Sequence, residues 1–537
     1  MNKQARRSDW ENIMSVAMLS MALVLFGFQL RSLVVFPQPN SFRMFGDETW
    51  LMSEAHSQIA TGIARYDLAA GSTLEHSKGL ILSMTWLSSL LYGLPTLLVK
   101  NDLILVGRMV TAVLSLLLLI SIYWSARRLN ASRLSASIVI LILVSSRAFF
   151  FASHCCRPDL LAGLIVLLFV TICTTHSMDG KRQNGVWWFV FGSLVVFFAF
   201  SSSIHLLTLL LPVAVFFIWR WDNQPRARWI NAAAGGAFLL GILVLIYYGT
   251  IGNLLLFGPT TARSQFHDVL SAIPIMRPLS RSVQVANIVI RFKEFVSEAP
   301  QVFLLILVLP LMLTKQWRIG RHTFAAASLL VFLSWLLLEG AQVTYLMHIM
   351  PLLMLGLALV LTRLFVQEKY RRAIVSLFTV IAILVFSFGI HDAVTANANA
   401  TALARGNMSA VFNIEKSIAA TWSDPGKPRV VTEPLTLAAL SKDSDIQTIT
   451  DHFISFPQRS ESLNTFFTRE YIDYVVLYNS SVYPHDHRQI DPFYLGVKNT
   501  SRLIDTEVGT IGDIGRDYFN GSSWKDTLLL FKVNIAR

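Results

Sequence analysis

Charge is scarce in this chain. Of its 537 residues only 15% are Asp, Glu, Lys or Arg, whereas 54% are hydrophobic, and the mean hydropathy is +0.53. A soluble fold of that composition would expose apolar surface it could not cover, which excludes an ordinary water-soluble domain. Acid is scarcer than base: 33 Asp and Glu stand against 45 Lys and Arg, a net charge of +12. That excess does not imply nucleic acid as a partner. The basic residues sit in short loops between apolar runs, a placement that belongs to membrane topology. Cysteine is nearly absent, and Cys155, Cys156 and Cys173 exclude a disulfide framework. The first two are neighbours that rarely bridge, and the third lies in an apolar run, so all three read as packing residues. A cleavable signal peptide is also missing. The first apolar run, 13–36, is too long for a signal core and lacks a small-residue cleavage site, so it reads as a retained span.

What is present is a series of apolar runs near the length a helix needs to cross hydrocarbon. Lys3, Arg6 and Arg7 place the N-terminus on the cytoplasmic side. Later basic clusters recur at Arg127, Arg128 and Arg133; at Lys181 and Arg182; at Arg220, Arg226 and Arg228; at Lys315, Arg318 and Arg321; and at Arg363, Lys369, Arg371 and Arg372. Two apolar runs separate each consecutive pair of clusters, so they share one side. They share it with the N-terminus only if one of the runs 13–36, 79–99 and 103–124 fails to cross. The run 79–99 contains Gly93 and Pro95 and keeps Ser83, Thr85, Ser88, Ser89 and Tyr92, so it is expected to dip into the outer leaflet without spanning. The bland reading, in which it spans and the charge bias misleads, stays open. The expected spans are 13–36, 103–124, 134–152, 160–177, 186–200, 203–219, 230–249, 301–314, 322–338, 342–362 and 373–390.

The sequence thus predicts a polytopic α-helical membrane protein with about 11 spanning helices plus a re-entrant or juxtamembrane segment. Its membrane domain covers 1–390, with outer loops at 37–102 and 250–300, and an extracytoplasmic α/β domain follows at 391–537. In that tail, strand-like stretches at 429–432, 446–450, 474–478 and 527–533 alternate with helical patches at 435–441 and 460–470. The tail holds no Gly-rich phosphate loop, zinc spacing or repeat, so binding or support is its expected role.

The chemistry-bearing residues gather in the outer segments. The first outer loop carries Gly46-Asp47-Glu48-Thr49. One of these carboxylates can act as a general base for an acceptor hydroxyl; a solvated loop or a helix N-cap explains them equally. The second outer loop reads His154-Cys155-Cys156-Arg157-Pro158-Asp159. Pro158 favours a helix start, which puts Asp159 at a helix N-terminus on the same side as Asp47, either in a site or simply complementing the helix dipole. Arg108, in the first turns of the second span, either pairs with Asp47 or Glu48 or snorkels to the headgroups. Tyr345 and His348, three residues apart, share a helix face near the outer surface. There they hold a phosphate, or act as an interfacial anchor and a packed histidine. The 250–300 loop adds Arg263, His267, Arg277, Arg281, Arg291 and Lys293. A basic outer loop departs from the usual bias. It suits either an anionic lipid phosphate or a surface-lying amphipathic helix.

Taken in order, Gly46-Asp47-Glu48, Ala60-Thr61-Gly62, Lys78-Gly79-Leu80, Gly107-Arg108, Arg157-Pro158-Asp159 and Tyr345 to Pro351 resemble the C-type (GT-C) glycosyltransferases. The likeness is to enzymes related to protein O-mannosyltransferases and to aminoarabinose and arabinofuranosyl transferases. The resemblance implies transfer of one sugar from a polyprenyl-phosphate donor to a glycan, lipid or protein acceptor at the outer face of the plasma (inner) membrane, with inversion. It implies Asp47 as the base. Glu48 and Asp159 become acids that shape the site or, in some members, assist a divalent metal, the one cofactor in view. Lys78, Arg108, Arg157, Arg263, Tyr345 and His348 become neighbours of the donor phosphate. The chain departs from the family in having Lys-Gly-Leu at 78–80 where Lys-Pro-Pro-Leu is common, and in the Arg-Pro-Asp form of the second acidic motif. Asp47 and Asp159 are expected to meet in one cavity. The competing classes are a transporter or lipid flippase, which calls for repeated halves and midplane charges, and a scaffold in which the acids are merely solvated.

Overall fold

The computed structural model describes residues 3–35, 48, 51–52, 55–56, 59–60, 86–98, 103–178, 204–221, 235–236, 289, 319–336, 343–366, 371–432, 446–450, 463–469, 471–478, 492–511 and 524–534. In chain order the helices are α1 (Lys3–Val35), α2 (Trp86–Gly93), α3 (Leu103–Arg128), α4 (Arg133–Val144), α5 (Arg147–His154), α6 (Asp159–Met178), α7 (Ile204–Trp221), α8 (Ile319–Leu336), α9 (Met350–Val366) and α10 (Arg371–Thr421). A 3-10 segment, Leu94–Leu97, follows α2, and another, Val343–His348, precedes α9. Beyond α10 come β1 (Arg429–Thr432), β2 (Gln447–Thr450), α11 (Leu463–Arg469), β3 (Tyr474–Tyr478), α12 (Pro492–Thr500), β4 (Ser501–Ile511) and β5 (Trp524–Val533).

Among the described residues, 3 helical stretches are long and apolar enough to cross a membrane: Trp10–Arg31, Leu103–Arg128 and Val375–Ala398. A fourth arises if α4 and α5, which meet at 70°, count as one broken span. Shorter apolar helices lie at Asp159–Thr175, Phe324–Trp335 and Met350–Phe365. The expected spans 186–200, 230–249 and 301–314 fall almost wholly outside the described residues. In the 79–99 run, α2 has 8 residues, a rise of about 12 Å against a hydrocarbon core of about 30 Å.

Contacts divide the chain into two compact units. The first comprises Met1–Leu30, Met84–Ser88 and Val110–Asp392. In it α6 packs against α7, α8 and α9, and α9 also packs against α4. The expected span 134–152 is not one rod. It breaks at Ser145-Ser146, where both serine hydroxyls are satisfied by bonding back into α4. Ser145 Oγ donates to the Leu141 carbonyl at 2.8 Å and Ser146 Oγ to the Leu143 carbonyl at 2.7 Å. Ser146 also caps α5, accepting from the Phe149 amide at 3.2 Å. From α1, Gln29 Nε2 donates to the Val144 carbonyl at 2.8 Å, satisfying one of the acceptors that end α4. His154, at the far end of α5, places Nε2 2.8 Å from the Gln29 carbonyl oxygen.

The expected span 342–362 is likewise divided. Pro351 has no amide proton, so the α-helical bond back to Met347 cannot form. The chain runs as 3-10 helix through His348, and α9 begins at Met350 with Pro351 in its first turn. At the other extreme α10 runs 51 residues, well past the expected end at 390. Its continuation is rich in Ala and free of Pro, so nothing in it halts a helix. Arg147 Nε and Nη2 grip Asp392 of α10 at 2.9 and 3.2 Å.

The second unit comprises Arg31–Ser83, Ser89–Met109 and Ala393–Arg537. Its sheet has the order β2-β1-β3-β5-β4. β1 is parallel to β2 and β3, while β5 runs antiparallel to β3 and β4. Alternate residues Val430, Tyr474, Val476, Leu528 and Leu530 pack on Ala410, Val411, Ile414 and Ile418 of α10. The opposite parity (Val431, Val475, Leu477, Leu529 and Phe531) is buried too, so both faces of the sheet are covered. The stretches expected at 429–432 and 474–478 are strands with those bounds. β4 and α12 are additions to the sequence reading.

Candidate active site

Asp159 opens α6, as Pro158 requires, and is buried. Its two oxygens face two nitrogen donors. Arg157 Nε donates to Oδ2 at 2.9 Å, and His348 Nε2 donates to Oδ1 at 3.0 Å. His348 is the last residue of the 3-10 segment and has no exposed surface. Two residues of one sequence motif and a third from a distant segment therefore meet in one group, in which Asp159 and His348 are buried and Arg157 is 11% exposed. Their pairing was not foreseen, because 189 positions separate Asp159 from His348 and no local pattern links them. The shared helix face expected for Tyr345 and His348 takes a 3-10 form, in which positions three apart are eclipsed along the backbone.

A residue the sequence reading passed over packs against the segment that carries His348. Gly163 lies one turn after Asp159 on α6. A Cβ there would overlap the Met347 carbonyl oxygen and stand 3.2 Å from the Met347 carbonyl carbon and 3.4 Å from Pro351 Cγ. The available signal was a glycine four residues beyond an acid in an otherwise apolar helix, the kind of small residue that lets backbones approach in membranes.

In the second unit, Arg108 of α3 is paired with Glu48. Nε donates to Oε1 at 3.2 Å and Nη2 to Oε2 at 2.7 Å, and both side chains are at most 2% exposed. Of the two readings of Arg108, pairing holds and snorkelling does not; Glu48 is the partner. In the stretch that carries Glu48, the described residues 48, 51, 52 and 55 are helical and buried, a one-face spacing. That stretch lies against α2 and the 3-10 segment after it. His56 Nδ1 is 2.7 Å from Thr96 Oγ1, which itself donates to the Gly93 carbonyl at 2.5 Å. Gly93 admits the stretch, since a Cβ there would come within 2.8 Å of the Ala55 carbonyl carbon and of Ile59 Cγ1.

Asp47, Lys78 and Arg263 lie outside the described residues, as do His267, Arg277, Arg281, Arg291 and Lys293 of the basic loop. No disulfide joins Cys155, Cys156 or Cys173, and all three are buried. Among the described residues no three His, Cys, Asp or Glu side chains come together to hold a metal ion. Asp159 directs one oxygen to each of two nitrogen donors, and Glu48 directs both of its oxygens to Arg108.

Chemically the Asp159 group is a buried carboxylate that fixes one guanidinium and one imidazole, each by a single nitrogen. The Glu48–Arg108 pair is a closed, two-pronged contact suited to holding structure.

No family model and no curated protein sequence matches the chain. Solved structures do. The fold is similar to that of ArnT from Cupriavidus metallidurans bound to undecaprenyl phosphate, with a TM-score of 0.51 and 12% identity over 97% of this chain and 98% of that one. It is also similar to the archaeal oligosaccharyltransferase AglB from Archaeoglobus fulgidus in complex with an inhibitory peptide and a dolichol-phosphate, with a TM-score of 0.50 and 9% identity over 90% of this chain and 72% of that one. Both are GT-C glycosyltransferases. This chain shares the fold of those two structures.

Proposed function

We propose that the protein transfers a single sugar from a polyprenyl-phosphate donor to an acceptor hydroxyl at the outer face of the inner membrane. The observation that carries this reading is the likeness over nearly the whole chain to ArnT, solved with undecaprenyl phosphate. AglB, solved with a dolichol-phosphate, adds a second lipid phosphate on the same fold. Asp47 takes the proton of the acceptor hydroxyl. The freed oxygen attacks the anomeric carbon as the bond to the phosphate oxygen breaks, with inversion, and the lipid phosphate departs. Arg157 and His348, oriented by Asp159, supply hydrogen-bond donors, and Arg157 positive charge, to the departing phosphate. Lys78, Arg263 and Tyr345 add to its binding. Arg108 acts through Glu48, keeping the helical stretch next to Asp47 in place. The acceptor is a glycan, a lipid or a protein, and the 391–537 region supports its binding.

The test uses protein reconstituted in liposomes with a panel of polyprenyl-phosphate sugars, following both glycosylated product and released lipid phosphate. The expected result is equimolar product and lipid phosphate, with Asp47→Asn slowing turnover by about 10²–10⁴-fold while thermal unfolding is unchanged. Movement of the donor lipid between leaflets with no glycosyl product would favour a flippase and overturn the proposal.

A further inference from the structure

Asp159 and Gly163 are four residues apart on α6, so they lie on one face of the helix, about 6 Å apart along its axis. Both meet the same short segment. Gly163 meets the backbone of Met347, and Asp159 meets the side chain of His348, the next residue. The Met347 carbonyl is available for this contact because Pro351 lacks the amide that a continuous helix would aim at it. A glycine Cα–H pointing at a carbonyl is a weak favourable contact, common where helices touch. Gly163, Met347, His348 and Pro351 are all buried, and the atom a Cβ would strike is backbone, which cannot step aside as a flexible side chain can.

We propose that Gly163 is a positioning residue. By admitting the Met347 carbonyl, it sets the register of the 343–348 segment on α6 and so brings the His348 imidazole onto Asp159. The proposal rests on the transferase reading for its kinetic consequence, while its geometric content stands apart. A methyl group at 163 pushes the Met347 peptide outward, and His348, one residue on, moves with it. Its 3.0 Å bond to Asp159 then stretches beyond hydrogen-bonding range. Pro351 is the second half of the device, since an amide at 351 pulls the Met347 carbonyl back into its own helix.

The experiment reads both parts. In ¹⁵N-histidine-labelled protein in lipid nanodiscs, the His348 Nε2 resonance is assigned by its loss in His348→Gln. It is expected to shift in Gly163→Ala toward the position of a ring without a carboxylate partner, and an unmoved resonance overturns the proposal whatever the protein's activity. In the transfer assay Gly163→Ala lowers kcat at least tenfold, but costs less than twofold when added to His348→Gln. An equal factor in both backgrounds shows that Gly163 acts independently of His348 and overturns the proposal. Should Gly163→Ala not accumulate as folded protein, Pro351→Ala carries the same test. A shifted His348 resonance in Pro351→Ala supports the proposal and an unshifted one overturns it. Absence of transfer by the unmodified protein counts against the transferase reading alone, because the resonance still reports the geometry.

Discussion

At the scale of residues, the sequence revealed which side chains mattered better than it revealed how they pair. Arg108 announced its need for a partner, because an arginine in the first turns of a span cannot stay uncompensated, and a carboxylate named in advance as a partner, Glu48, meets it. Asp159 and His348 were each legible, one from Pro158 and the other from its place near a span end, but their bond joins distant parts of the chain. Gly163 was silent because its contribution is the absence of a side chain. The Glu48–Arg108 pair yields a sharp expectation. Glu48→Gln leaves a buried guanidinium without its countercharge and costs about 3–5 kcal/mol, whereas the double change Glu48→Gln with Arg108→Met costs less than the sum of the two single changes. Reversible unfolding of the four proteins in mild detergent measures this; additive single costs would show that the pair does not act as a unit.

At the scale of elements, hydrophobic periodicity located helices and missed their breaks. The apolar pattern is the same on both sides of Ser145-Ser146 and through Pro351, so a span-length window reads straight across them. What marks each break is polar or proline chemistry within it: two serines that bond back to Leu141 and Leu143, and a proline that denies Met347 its amide. β4 was missed because it carries Arg502, Asp505 and Glu507 among small and apolar residues, with a register shift between Leu503 and Asp505 that blurs the alternation. The break between α4 and α5 gives a test at this scale. Gln29→Leu withdraws the donor from the buried Val144 carbonyl and is expected to destabilise the protein by about 1–3 kcal/mol. Gln29→Glu, which offers no amide hydrogens, should be at least as damaging. Unfolding midpoints of the two variants measure the effect, and a neutral Gln29→Leu would mean the carbonyl finds another donor.

At the scale of the whole molecule, composition alone excluded a soluble fold, and the order of weak motifs from Gly46 to Pro351 pointed to the GT-C architecture that the full-length comparison with ArnT shows. Each motif is short, and the likeness to ArnT holds over 97% of this chain at 12% identity. Topology is read from loop charge and has its own test. Single cysteines placed at Ser41, Leu129, Gly185 and Ser480 in sealed vesicles are expected to report Ser41 and Ser480 outside and Leu129 and Gly185 inside. Labelling of Leu129 and Ser41 from one side would break the parity on which the outer-face proposal depends.

The corner between α4 and α5 also bears on motion. Bends that swing during turnover keep loose backbone groups that trade partners as they move. Here the ends on either side are tied: Ser145 and Ser146 bind back into α4, Ser146 holds the start of α5, and Gln29 reaches in from α1. The corner is an elbow set in plaster, a fixed angle from which the Arg157–Asp159 turn hangs.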